Sequence, residues 1–357
     1  MILETLIGSA PDTLPAAGKA ATLLPGLVDL TAHHVARCDG YARIVAATAP
    51  DYADAARLAD LPFLPVSLFK SHLLKSVPDE AVTNLLTTSG TTGPQVSRIA
   101  VDAATADRQA RGLASVVAPL LGPTRLPMIV LDNRAVVRDA HHLSARGAGV
   151  LGMMRFGRRH FFAFDDDMRL DRDGLRDFLD RFGTQPFLVF GFTFVVWRFF
   201  LQALPAGMDL SNGILLHSGG WKRLESEAVD NATFKQQLRE RAGLRHVRNF
   251  YGMAEQLGGV FLEGEDGFLH PPLFGDVIVR DIDTMEEAEP GRPGLIQVLS
   301  LVPTSYPGHS LLTEDIGVVH DVDGGPGGWG GKAFSVLGRA RRAPVRGCSD
   351  AVDYGSR

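Results

Sequence analysis

Unbroken apolar runs alternate with amphipathic stretches along this chain, and that alternation predicts most of its elements. Pro127–Asp132 (PMIVLD), Phe187–Phe190, Gly213–His217 and His246–Phe250 read as buried strands, because short continuous apolar runs bounded by turn residues suit a sheet covered on both faces. Helical periodicity marks Thr105–Leu121 and a charged amphipathic segment, Glu225–Arg241. Strand and helix alternating in this way predict an α/β core with parallel or mixed sheets flanked by helices. The first eighty residues are Ala- and Leu-rich, with short helical patterns broken by Pro11, Pro15, Pro25, Pro50, Pro62, Pro65 and Pro78. After about Gly267 short strands with turns take over, at Asp276–Arg280, Gly294–Leu301 and Ile316–His320, implying a small β-rich subdomain. The expected division is a helical region over 1–80, an α/β core over 81–266, the β-rich part over 267–337 and a short tail over 338–357.

Phe187–Leu204 (FLVFGFTFVVWRFFLQAL) is the most apolar stretch and approaches the length of a membrane span. Arg198 near its middle opposes insertion, and Gly191-Phe192-Thr193 divides it into a strand and a helix. A buried strand leading into a buried helix is the better reading, with no membrane span.

Composition narrows the function classes. With 357 residues there is material for a large core, and a net charge of −5 gives no general attraction to nucleic acid. Cys38 and Cys348 are the only cysteines, which fits a reducing, cytoplasmic setting. Familiar motifs fail on inspection. Gly325, Gly327 and Gly330 lie in a glycine-saturated loop with no helix after it, no G-x-S-x-G elbow occurs, and His33-His34 and His141-His142 lack zinc spacing.

The informative loop is Leu86–Pro94 (LTTSGTTGP). Hydroxyls from Thr87, Thr88, Ser89, Thr91 and Thr92, with Gly90 and Gly93, offer amide and hydroxyl donors without steric bulk, which suits a polyphosphate. Three further sites complement it. Gly219-Gly220 after His217-Ser218 would let a flat ring lie on the backbone. Tyr251-Gly252-Met253-Ala254-Glu255 supplies an aromatic for stacking and a carboxylate for a cation, and Thr313-Glu314-Asp315 offers an acid to a ribose.

In that order TTSGTTG, YGMAE, TED and Gly338-Arg339 resemble the core motifs of the adenylate-forming, acyl-CoA synthetase-like superfamily. LPVSLFKSHLLKSVP, HSGGWKRL, YGMAEQLGG, LHPPLFGDVIVRD and RGCSD resemble its acyl-protein synthetase branch, typified by the synthetase component of bacterial luciferase fatty-acid reductase. The resemblance spans residue 60 to the end. It implies the N-terminal adenylate-forming domain, with the usual mobile C-terminal domain reduced to a tail.

It also implies an ATP-dependent ligase that converts a long-chain fatty or aromatic acid to an acyl-adenylate and passes the acyl group to a thiol. Thr87, Thr88, Ser89, Gly90, Thr91, Thr92 and Gly93 would hold the triphosphate, Gly219 and Gly220 with Tyr251 would frame the adenine, Gly252 and Met253 would also contact the nucleotide, and Asp315 with Arg339 would fix the ribose. Glu255 would ligate Mg2+, and Lys70, Lys222 and Arg339 are the candidate catalytic cations. Cys348, amid Arg341, Arg342 and Arg346, would accept the acyl group for delivery to a partner acyl reductase, whereas Cys38 lacks such surroundings. The alternatives are a ligase loading CoA or a carrier protein, and a nucleotide-binding scaffold subunit without catalysis. One departure stands out: the lysine expected after the loop's proline is Gln95, leaving Arg98 as the nearest cation.

Overall fold

A computed structural model describes residues 2–9, 14–87, 96–138, 144–221, 227–324 and 330–340. Its elements pack into two compact units. One comprises residues 1–88, 93–116 and 252–344, the other residues 89–92, 117–251 and 345–357.

The second unit is built on a parallel sheet. Its strands follow the order His246–Tyr251, Gly213–Ser218, Phe187–Phe192, Leu126–Asn133, Gly157–Phe164. Every residue of Phe187–Phe192 is buried, as is all but the two ends of Leu126–Asn133, so these runs are apolar because both faces of the sheet are covered. The register is regular: Phe192 pairs with Ser218, and Ser218 with Phe250. Parallel strands bring Asn133, Phe192, Ser218 and Tyr251 out at one edge, where open α/β sheets place their ligands.

The apolar stretch at 187–204 divides where expected. After Phe192 the chain turns into helix at Thr193–Val195 and continues as a π-helix over Val196–Leu201. Among the described residues no helix is long and apolar enough to cross a membrane. The charged helix starts later than its periodicity suggests, at Asn231, and runs to Ala242. Asp230 caps it, accepting a hydrogen bond from the Thr233 amide at 2.7 Å, and Gly243 closes it at φ 72°.

The first unit carries an antiparallel sheet in the order Gly275–Arg280, Gly294–Ser300, Ser310–Val322, Lys332–Arg339, Leu269–His270, Phe261–Glu263. The two-residue strand Leu64–Pro65 joins it in parallel with Ser310–Val322, pairing Leu64 with Leu311. A separate ribbon pairs Val82–Thr87 with Arg98–Asp102. The first of those strands is apolar in sequence but poorly covered: Leu85 is 51% exposed. Helices Ile2–Ile7, Ala16–Val35 and Asp39–Thr48 belong to the same unit.

Pro25 does not break its helix, contrary to the sequence expectation. Ala16–Val35 runs through it, with Leu23 and Leu27 fully buried on either side, so packing outweighs the lost backbone hydrogen bond. Arg280 anchors the sheet to the N-terminal region. Its guanidinium donates to Gln297 Oε1 at 2.5 Å, Met285 O at 2.6 Å and Ala59 O at 2.7 Å, and lies 4.6 Å from the Phe63 ring centroid.

Candidate active site

In the first unit, strand pairing assembles a charged cluster from distant segments. Because Leu64–Pro65 lies along Ser310–Val322, the helix Leu68–Ser71 that follows brings Lys70 to Glu314, with Nζ 3.5 Å from Oε1. The antiparallel partner strand sets Arg339 opposite Asp315. Arg339 Nε is 3.6 Å from Asp315 Oδ1, and Nη1 is 3.5 Å from Glu314 Oε2. All four side chains keep about a fifth to a third of their surface accessible. Contacts this long and this accessible add little to stability. They do hold two cations and two acids within one neighbourhood.

Glu255 belongs to the same group. It sits in the single turn Ala254–Gln256, half-buried. Desolvation pushes its carboxyl above the usual range, while the Ser97 hydroxyl, Lys70 and Arg339 pull it back down. Lys70 and Arg339 thus favour the ionised form of a carboxyl that desolvation alone would disfavour. Lys70, Glu255, Asp315 and Arg339, each singled out from sequence, therefore share one electrostatic environment.

The second unit presents the ring-binding candidates at the carboxyl edge of its sheet. Gly219 and Gly220 follow the strand ending at Ser218, and Tyr251 ends the neighbouring strand. Gly219 adopts φ 83°, a conformation that L side chains rarely hold, and a Cβ on Gly220 would meet nothing within 4 Å. The backbone there is open to a flat ligand.

His217, just before these glycines, is buried and its imidazole pKa is lowered to about 3, first by desolvation and then by Lys235. The Thr193 hydroxyl donates to Ser218 O at 3.2 Å, so it accepts from His217 Nδ1 at 2.9 Å, which assigns the proton to Nδ1. The His217 ring packs on Phe234, itself stacked against Trp197, with Trp221 edge-on to Trp197. The aromatic excess of this region thus serves core packing at Phe192, Phe194 and Trp197. Phe199 differs: with Met168, Leu170, Arg172 and Arg198 it lines an open cavity of about 500 Å³.

Thr87 ends its strand opposite Arg98. Thr88, Ser89, Gly90, Thr91, Thr92, Gly93, Lys222 and Cys348 lie outside the described residues, while Cys38 is a buried free thiol. Gly252 and Met253 are half-buried between Tyr251 and the Glu255 turn. Sequence reasoning passed over Ser97, Gln256 and Tyr306, a buried phenol whose pKa is raised by burial and then by the Glu255 charge. Gln256 directly follows Glu255, and Ser97 follows the glycine loop closely, but Tyr306 carries no local signal.

Known proteins resemble this chain in sequence and in fold. The chain is 24% identical over 311 residues to a long-chain-fatty-acid–luciferin-component ligase of Aliivibrio fischeri, covering 81% of this chain and 77% of the relative. It is 23% identical over 301 residues to the Vibrio harveyi protein of the same name, covering 82% and 77%. Its fold matches a crystal structure of 2-hydroxyisobutyryl-CoA ligase in complex with 2-HIB-AMP and CoA. The TM-score is 0.68 at 16% identity, over 92% of this chain and 71% of that one. The sequence pattern of one family, described as acyl-protein synthetase, LuxE, matches residues 7–355. The chain belongs to that acyl-protein synthetase family.

Proposed function

We propose that this protein is an AMP-forming acid–thiol ligase that activates a long-chain fatty or aromatic acid with ATP and hands the acyl group to a partner acyl reductase. The observation that carries this reading is the Lys70–Glu255–Asp315–Arg339 cluster, found in a member of the acyl-protein synthetase family. In the first step a carboxylate oxygen attacks the α-phosphorus of ATP, and the bond to pyrophosphate breaks. The product is a mixed anhydride, the acyl-adenylate. Attack brings two anions together, so cations and amide donors must offset their repulsion.

In this assignment Lys70 and Arg339 supply positive charge, Asp315 accepts from the ribose hydroxyls, and Gly219, Gly220 and Tyr251 frame the adenine. Thr87 to Gly93 would hold the phosphates, Gly252 and Met253 would contact the nucleotide, and Lys222 is a further cation. Glu255 would hold Mg2+, whose chemistry when bound is to neutralise phosphate charge. In the second step the Cys348 thiolate attacks the acyl carbonyl and AMP leaves, forming a thioester on the protein.

Acid-dependent ATP–pyrophosphate exchange, run with fatty and aromatic acids side by side, tests the first step. Glu255→Ala should lower exchange by roughly 100-fold or more. Cys348→Ser should exchange normally but take up no labelled acyl group. ATP binding without exchange for any acid would instead identify a scaffold subunit. Transfer that survives in the cysteine variant and needs added CoA would identify a CoA-loading ligase.

A further inference from the structure

Gln256 follows the catalytic candidate Glu255 but has no part in the chemistry above. Its side chain is 1% exposed. Its Nε2 donates to Gly308 O at 2.9 Å and to Val298 O at 3.4 Å, and its backbone amide donates to Met253 O at 3.1 Å. One amide therefore ties the Glu255 turn both to the sheet strand Gly294–Ser300 and to the turn at 306–308.

That second turn is itself rigidly braced. The Gly308 amide donates to Tyr306 O at 2.7 Å. Ser305 Oγ donates to Ala100 O at 2.8 Å, and the Ser305 amide donates to Thr105 Oγ1 at 3.1 Å. His309 Nε2 is 3.0 Å from Thr31 Oγ1. Gly308 has no room for a side chain, since a Cβ would fall 2.2 Å from the Tyr306 ring and 3.0 Å from Glu255 O. The Glu255 backbone thus rests directly on this turn.

The other end of the same amide argues against a purely stabilising role. Gln256 Oε1 is buried with no hydrogen-bond partner among the described residues. An unsatisfied buried acceptor costs stability and offsets part of what the two donated bonds contribute.

We propose that Gln256 is a positioning residue: its amide fixes the Glu255 turn against the Gly308 and Val298 carbonyls, and so sets where the Glu255 carboxyl stands. The inference rests on the assignment of Glu255 to the metal–nucleotide site. A carboxylate displaced by about 1 Å from its working place can cost up to 100-fold in rate.

The test uses Gln256→Met, which keeps the volume and removes both donors, and Gln256→Glu, which keeps the shape. Each is compared with wild type by thermal melting, by exchange kinetics, and by Mn2+ titration of the protein with ATP, read by electron paramagnetic resonance. Both variants should melt cooperatively within about 4 °C of wild type, a shift that for 357 residues corresponds to about 3 kcal/mol. Exchange kcat should fall at least tenfold with the acid KM unchanged, and the Mn2+ half-saturation should rise several-fold. Wild-type kcat and Mn2+ affinity in either variant would overturn the proposal. So would loss of cooperative melting in both, because Gln256 would then hold the fold and not Glu255. If wild type itself fails to exchange, the functional reading falls, and the Mn2+ half-saturation of wild type against the two variants decides this one.

Discussion

Replacing His217 with Asn should make the acid branch of the stability curve shallower. The imidazole is buried, with its pKa lowered to about 3 against an ordinary 6.5. Between those values the unfolded chain binds a proton that the folded chain refuses, so stability present above pH 6.5 erodes as the pH falls. A single such group costs about 1.4 kcal/mol per pH unit well below 6.5, or about 2 kcal/mol between pH 7 and pH 5. Asn can donate to Thr193 Oγ1 from the position of Nδ1, which keeps the 2.9 Å hydrogen bond and removes the titration. His34 and His309, lowered to about 2 and about 3 mainly by desolvation, contribute with the same sign, and Glu255 and Asp132, raised mainly by desolvation, with the opposite sign. They cancel when variant and wild type are compared. Urea denaturation at half-unit intervals from pH 7.5 to 4.5 gives both curves. Parallel curves would refute the argument, since they would mean that His217 titrates alike in the folded and unfolded chains.

Three further outcomes follow from particular contacts. Arg146→Met strands Asp132, now held by two bonds of 2.6 Å in a pair only 2–3% exposed; urea midpoints should show a loss of about 3–5 kcal/mol, largely recovered on adding Asp132→Leu. Arg280→Lys cannot reproduce a planar fork reaching Gln297, Met285 O and Ala59 O, and should cost about 3 kcal/mol by the same measurement. Gly220→Ala has open space for its methyl, so the melting temperature should hold while the KM for ATP in exchange rises roughly tenfold, about 1.4 kcal/mol of lost binding. An unchanged KM would mean that no ring lies on that backbone.

What the sequence determined by itself is what local chemistry encodes. Continuous apolar runs such as Phe187–Phe192 require cover on both faces, and Gly191-Phe192-Thr193 marks the change from strand to helix. Glu255, Asp315 and Arg339 could be singled out by side-chain type and motif order, and the structure gathers them into one cluster. Tertiary structure decided the rest. Only the pairing of Leu64 with Leu311 explains why Lys70 meets Glu314. Pro25 stays within a helix because Leu23 and Leu27 are buried, and Leu85 is exposed because its ribbon leaves that face uncovered. Gln256 gains a role through carbonyls contributed by Val298 and Gly308. Each of these depends on partners far away in the chain, and short-range periodicity holds no record of which distant backbone groups will lie alongside.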